Sequence, residues 1–351
     1  MKTYTLAVCI PTFNRSDILF ESLQNYLKSD ESRVCFTVQD NCSTDGSFEM
    51  YQSIHDERLR VRQNAENIGA LLNAKAALSN NSDAEYILFS IDKDRLEMNY
   101  LSKFIDYLES EKPGCGCLDV YGDTNERIEN FPKGIEAVRK TGYLSKHPTG
   151  FFWRRDYFDE EIKKPYFKAL PVKFDFWFDV VMAHCASQYG ASFVYIPAIL
   201  HGARSKAKPT KTLTYNDTNY FFGYPKRMET YEIYPRDLLS LDVPKKEKMD
   251  MAVYLMRNTM GMVSVGLRSI LCNNWEVYHY GFKWRVMSWH EMIGNVYYVY
   301  RLYASLLKDI DTFRHLKGAW AMSKVFVHIM YTSLKGFINS PKCVPYIAKN
   351  E

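Results

Sequence analysis

The chain has 351 residues, 46% of them hydrophobic and 25% charged, which is enough apolar material for a sizeable core and excludes a disordered chain. At about 100–200 residues per domain it is long enough for two structural units, and its scattered glycines (17) and prolines (13) exclude collagen-like or low-complexity segments. The formal charge of +4 is small but uneven, with 15 Lys+Arg against 7 Asp+Glu from Lys245 onward, so a basic rear follows a slightly acidic front and two parts with different partners are expected. The eight cysteines lie far apart, unlike a disulfide framework, and no second pair joins Cys115 and Cys117 to complete a zinc site. A reducing compartment is expected. Met1 to Ile10 is too short for a secretory signal and meets Pro11. The apolar runs 251–272 and 325–338 are interrupted by Arg257, Arg268 and Lys335, short of the ~20 clean residues of a membrane span.

In chain order, Thr5–Ile10 is a short apolar run stopped by Pro11, the pattern of a buried parallel strand. Asn14 or Ser16 can cap a helix carrying Ile18, Leu19, Leu23, Tyr26 and Leu27 at helical spacing. Val34–Val38 is a second strand, followed by the polar turn Asp40–Gly46. Phe48–Ile54 resumes helical spacing, Leu59–Val61 is a short strand, and Ala70–Leu78 is an Ala/Leu-rich helix. Tyr86–Ile91 is a strand that runs into Asp92-Lys93-Asp94. Beyond Phe151 a helix is predicted over Phe176–Tyr189 and a strand over Phe193–Ile196. Residues 202–248 read as loops, and the rest as helices rich in Tyr, Trp and Met. Alternating strands and helices predict an α/β unit with a parallel sheet, whose functional loops collect at the carboxyl ends of the strands.

Three polar clusters fall at those ends: Pro11–Arg15, Asp40–Asp45 and Asp92–Asp94. Two carboxylates with one spacer directly after an apolar strand suit a divalent cation, which needs hard oxygen ligands and neutralises a phosphate-bearing substrate. They also suit a haloacid-dehalogenase-like phosphatase with Asp92 as nucleophile, although there the pair stands near the chain start. The ordered set Ile10-Pro11-Thr12-Phe13-Asn14-Arg15, Asp40-Asn41-Cys42-Ser43-Thr44-Asp45-Gly46, Asn67-Ile68-Gly69 and Asp92-Lys93-Asp94 resembles the nucleotide-binding half of family 2 glycosyltransferases of the GT-A fold. The resemblance is close over the first hundred residues and looser to about residue 205.

That resemblance implies a Rossmann-like, mostly parallel sheet with helices on both faces. Pro11, Thr12, Asn14 and Arg15 then border the nucleotide, Asn67 and Gly69 either border it too or shape a turn, Asp40 bonds its base, and Asp92 and Asp94 bind the ribose and the metal–diphosphate with Mn2+ or Mg2+. It also implies a metal or diphosphate contact at His201 and an acceptor pocket near His147–Gly150 and Trp153, while Arg204, Lys206 and Lys208 suit either a diphosphate clamp or a solvated loop. For Ser43, Thr44 and Asp45, turn and cap chemistry accounts for the residues. An inverting transfer needs a carboxylate to take the acceptor's proton. The spacing to Gly190 gives Asp179 that position, with Phe178 where the family often has Glu, and Asp175 remains the alternative.

The rear interleaves Trp275, Tyr278, Trp284, Trp289, Tyr297, Tyr298, Tyr300 and Tyr303 with Lys283, Arg285, Arg301 and Lys308. Such rings beside basic groups suit an anionic membrane interface, or else a helical subdomain packing on the catalytic core. The expected organisation is a catalytic domain over 1–205, with a nucleotide-binding half 1–110 and an acceptor half 111–205, a loop or linker region over 206–247, and a helical, basic region over 248–351. The expected activity is a metal-dependent inverting glycosyltransferase moving a sugar from a nucleotide-diphospho-sugar to a saccharide or lipid-linked acceptor. It is expected to be cytoplasmic or peripheral on the inner face of the plasma membrane and not to bind nucleic acid. A non-catalytic sugar-nucleotide-binding protein is the other alternative.

Overall fold

The computed structural model describes residues 3–79, 81, 83–120, 125–144, 148–171, 174–200, 224–266, 288–311 and 315–339. The chain forms two compact units, Met1–Ala203 and Arg204–Glu351.

The first unit opens as β1 (Tyr4–Thr12), α1 (Ser16–Leu27), β2 (Val34–Asp40), α2 (Ser47–Gln52), β3 (Leu59–Gln63), α3 (Ala70–Ser79) and β4 (Ala84–Phe89). It continues with β5 (Arg95–Leu96), α4 (Met98–Glu111), β6 (Cys115–Leu118), β7 (Ile128–Phe131), α5 (Ile135–Thr141), β8 (Phe151–Arg154), α6 (Arg155–Glu161) and α7 (Pro165–Lys168), and closes with α8 (Trp177–Tyr189), β9 (Ala191–Val194) and β10 (Ile199–Leu200). Eight strands form one sheet in the order β3-β2-β1-β4-β8-β6-β9-β7, while β5 and β10 make a separate antiparallel pair. β1 to β4 are mutually parallel, β8 runs antiparallel to both β4 and β6, and β6 and β9 are parallel again. The near-continuous apolar runs of β1 and β2 follow from burial on both faces: Leu6 to Ile10 and Val34 to Val38 have almost no exposed surface. α1 buries Leu19, Leu23 and Tyr26 against this sheet, and Tyr26 stacks on Phe36 with ring centroids 5.7 Å apart.

Strand order places the site. β1, β2 and β3 are laid down in one direction, and the connection to β4 then crosses to the other side of β1. The order reverses between β1 and β4, and the crevice at the carboxyl ends of such a pair is where ligands bind in open α/β sheets.

Two local readings of the sequence change. β1 does not stop at Pro11 but continues to Thr12, paired with Asp40 of β2. Pro11 lies past the last β1–β4 pair, Cys9 with Phe89, so its missing N–H removes nothing from the ladder. Neither Asn14 nor Ser16 caps α1: the N-cap position is Arg15, without a side-chain cap of its own. Its first donors are met from the next loop, where Ser47 Oγ accepts from Arg15 N–H at 3.2 Å and Asp45 Oδ2 from Ser16 N–H at 3.2 Å.

The second unit is helical in its described residues: α9 (Tyr224–Ser240), α10 (Lys245–Gly261) continuing into a π-turn at Met262–Gly266, α11 (Trp289–Ile310) and α12 (His315–Asn339). α11 starts with a capping box in which Ser288 and Glu291 exchange side-chain-to-backbone bonds. It packs on α10, its buried residues including Met292, Val296, Val299, Tyr303, Leu307 and Ile310 and those of α10 including Met251, Leu255 and Met256. α9 occupies a stretch that reads as loop in the sequence. Its core positions are Met228, Tyr231, Tyr234 and Leu238, at helical spacing but mostly Tyr and Met, and Pro235 lies inside the helix. A proline in a helix interior costs ~3 kcal/mol, so only tertiary burial explains the helix. Among the described residues no helix is long and apolar enough to cross a membrane.

Candidate functional site

The crevice between β1 and β4 is bridged directly. Thr12, the last residue of β1, donates from Oγ1 to Asp92 Oδ2 beyond the end of β4 at 3.0 Å. Arg15 Nε approaches the same oxygen at 3.9 Å and makes no hydrogen bond. Burial raises the Asp92 carboxyl above its ordinary range, opposed by the Thr12 hydrogen bond and by the charges of Arg15 and Lys93. Asp94 is buried. Thr149 Oγ1 donates to its Oδ2 at 2.5 Å, and its backbone carbonyl accepts from the Tyr26 hydroxyl at 3.2 Å. The Asp92-Lys93-Asp94 turn is thus fastened from β1, α1 and the segment before β8.

Asn14 adopts a left-handed backbone, φ +52°, and exchanges bonds with the second cluster: its N–H donates to Ser43 Oγ at 2.8 Å and its Oδ1 accepts from Thr44 N–H at 2.9 Å. Asp45 accepts from the N–H groups of Ser16 and Ser47, the turn-and-cap role expected of it. Asp40 is fully buried, its carboxylate accepting from Ser43 N–H at 2.9 Å, from Ser43 Oγ and from Gln63 Nε2 at 3.0 Å.

Asn67 folds an Asx-type turn by accepting from Gly69 N–H at 2.9 Å, and Gly69 takes φ +83°, a conformation that glycine adopts at no steric cost. Two asparagines that the sequence reading passed over complete this wall. Asn64 donates to both Asn41 Oδ1 and Asn73 Oδ1, at 2.9 and 2.8 Å. Asn73 donates to the carbonyls of Thr12 and Gln39 at 3.3 and 3.0 Å, joining the ends of β1 and β2. The signal was an amide in an otherwise Ala/Leu-rich helix, where asparagine is unfavourable unless it bonds elsewhere.

Asp179 sits in the first turn of α8 and is 1% exposed. Its Oδ1 accepts from Leu144 N–H at 3.1 Å. Asp175 is half-buried in the turn that precedes α8, so it is not on the helix itself. α8 reaches the carboxyl end of β4 through Phe178, whose ring lies 4.7 Å from that of Phe89, the last residue of β4. Leu144 and Thr149 are each bonded to an acidic residue, Asp179 and Asp94 respectively. Trp153, expected to line an acceptor pocket, is instead fully buried and packs against Phe151, Phe158 and Phe178: it lies on the sheet in β8, where a large apolar ring is core. His147, His201, Arg204, Lys206 and Lys208 lie outside the described residues.

Residues 7–178 match the family "Glycosyl transferase family 2". No curated protein matches the chain. Among solved structures, S. aureus TarS 1-349 superposes with a TM-score of 0.59 at 14% identity, over 97% of this chain and 92% of that one. The same protein in complex with UDP-GlcNAc gives 0.59 at 16% identity, over 96% and 92%, and in complex with UDP 0.58 at 13%, over 100% and 95%. At such identity the likeness concerns the fold. The motif order, the crevice at the β1/β4 reversal and the match over 7–178 agree: these residues are a family 2 glycosyltransferase domain, and the chain is a glycosyltransferase of the GT-A fold.

Proposed function

We propose that the chain transfers a sugar, with inversion, from a nucleoside-diphosphate sugar to a saccharide acceptor that is lipid-linked and serves cell-surface polysaccharide or glycan synthesis. The observation that carries this reading is the Thr12–Asp92 bond across the strand-order reversal, with Asp94 fastened beside it. TarS is similar in fold and is seen in complex with UDP in one structure and with UDP-GlcNAc in another.

Pro11, Thr12 and Asn14 border the nucleoside on the β1 side, and Asn67 and Gly69 on the other. For Asp40 to bond the base, as the family resemblance implies, the residues that bury it must give way, since among the described residues its Oδ1 takes only the Ser43 hydroxyl and keeps acceptor capacity. Arg15, its Nε without a hydrogen bond beside Asp92, is the donor for the diphosphate. Asp92 and Asp94 offer hard carboxylate oxygens one residue apart, and among the described residues no third His, Cys, Asp or Glu joins them in a metal-holding group. This donor set fits Mg2+ or Mn2+, ions commonly held by one or two carboxylates together with substrate phosphates and water; His201 would be the protein's third ligand. When bound, the ion neutralises charge on the departing diphosphate.

Asp179 is the base in this proposal. The hydrogen bond from Leu144 fixes the orientation of its carboxylate, as proton removal from an acceptor hydroxyl requires, and Asp175, four residues earlier in the turn before α8, is the alternative. The place of action is the cytoplasmic side, on an anionic membrane surface. The test is a screen of UDP-, GDP- and dTDP-sugars for turnover with Mn2+ or Mg2+ and in EDTA. Turnover of a sugar nucleotide that stops in EDTA supports the proposal. Hydrolysis of phosphomonoesters with no sugar-nucleotide turnover, or donor binding without turnover, overturns it.

A further inference from the structure

α12 carries two unlike faces. Gly318, Met322 and Ser333 are buried, and Gly318 is packed so closely on Met249 of α10 that an added Cβ would meet its Sδ at 2.7 Å. On the opposite side Leu316, Trp320, Val327 and Tyr331 are 71, 66, 64 and 63% exposed. At 3.6 residues per turn these four fall within an arc of about 60°, a stripe about 22 Å long. Single exposed apolar side chains are ordinary, but four in line make a patch of the kind that marks an interaction surface.

The charges beside the stripe have one sign. Lys317, Lys324 and Lys335 are exposed along its flank, with Lys324 Nζ 5.1 Å from the centroid of the Trp320 ring. The helix His315–Asn339 contains no Asp or Glu. A second copy of the chain set stripe to stripe would bring two rows of lysines together, which disfavours self-association. An apolar stripe bordered by lysines alone is complementary to an anionic lipid surface, where rings enter the headgroup region and ammonium groups reach the phosphates.

We propose that α12 is the membrane-docking element of this protein, lying along an anionic bilayer surface through Leu316, Trp320, Val327 and Tyr331 with Lys317, Lys324 and Lys335 at the headgroups. The inference rests on the membrane reading above and narrows it to one helix. Its test reads attachment and not sugar transfer, so the two readings can fail separately.

The experiment is co-sedimentation of the full chain with vesicles of phosphatidylcholine alone, or mixed with phosphatidylglycerol, at low and high salt. Three proteins are compared: the natural chain, K317Q/K324Q/K335Q, and L316S/W320S. All five positions are exposed, and an unchanged melting temperature confirms that each variant is folded. The natural chain is expected to bind the anionic vesicles and to lose most of that binding at high salt. The lysine variant is expected to bind roughly a hundredfold more weakly at low salt, from about 1 kcal/mol per near-surface basic residue and tenfold per 1.4 kcal/mol. The L316S/W320S variant should lose the part that survives high salt. If the natural chain binds neither vesicle, the membrane reading and this inference fall together. If it binds and both variants bind equally well, α12 is not the docking element and only this inference falls. Loss in L316S/W320S of a concentration-dependent dimer seen by light scattering, without vesicle binding, would assign the stripe to a second copy and overturn the proposal.

Discussion

At the scale of single residues, the candidate site is a set of carboxylates, three of them held by short polar side chains (Thr12 on Asp92, Thr149 on Asp94, Ser43 on Asp40) and Asp179 by the Leu144 backbone N–H. Asp92→Asn and Asp94→Asn keep the shape and remove the charge, so each is expected to cut transfer by at least a hundredfold while the melting temperature changes little. Transfer assays beside thermal melts check this, and near-natural turnover in either variant would remove the pair from the mechanism. Thr149 is fully buried against Asp94. Thr149→Val leaves that carboxylate oxygen without its donor, so a loss of about 1.5–3 kcal/mol in stability is expected in denaturant titration, the usual worth of a hydrogen bond to a charged group. Asp179→Asn should abolish transfer and leave donor affinity intact, because a base acts on the acceptor. Calorimetric titration with the nucleotide next to a transfer assay separates the two effects, and that behaviour in Asp175→Asn with an active Asp179→Asn would move the base to Asp175.

At the scale of elements, close approach of backbones decides where a side chain is tolerated. β6 runs between β8 and β9 with Gly116 paired to Phe152 on one side and Ser192 on the other. A Cβ added there would collide with Ser192 O and with the Phe152 ring, whose Cζ would lie 2.6 Å away. Gly116→Ala is therefore expected to destabilise the first unit by about 1–3 kcal/mol or more, the cost of overpacking a tight core, measurable as a lower urea midpoint. The Asp40 and Asp92 loops show the reverse economy. Asp45 and Ser47 satisfy the first N–H groups of α1, so one polar loop closes both a helix start and the wall of the site. None of this was visible from Asn14 or Ser16 taken as local caps, because the partners lie 29 to 32 residues away.

At the scale of the whole molecule, donor binding acts on one of two compact units. A ligand present at a hundred times its dissociation constant stabilises the state that binds it by about 2.7 kcal/mol. For a unit of this size that raises the melting temperature by roughly 5–10 °C. The correct nucleotide with Mn2+ or Mg2+ is expected to give such a shift in scanning calorimetry, and EDTA to abolish it. An equal shift in EDTA would separate nucleotide binding from the metal.

The alternation of apolar runs with helical patterns already determined the α/β class, since a strand buried on both faces has to be apolar throughout. The ordered clusters at the strand ends determined the family for the same local reason: phosphate and cation chemistry needs Thr, Asn, Asp and Gly at turns, and turns are short in sequence. What only the tertiary structure decided is which of those groups meet. Thr12 and Asp92 are 80 residues apart and Thr149 and Asp94 are 55 apart, and nothing in a local pattern pairs them. Burial of Asp40 and Asp179, the helix over Tyr224–Ser240 and the core position of Trp153 belong to the same class. Each depends on what a distant element packs against, and periodicity records the face a residue turns toward but not the partner waiting there.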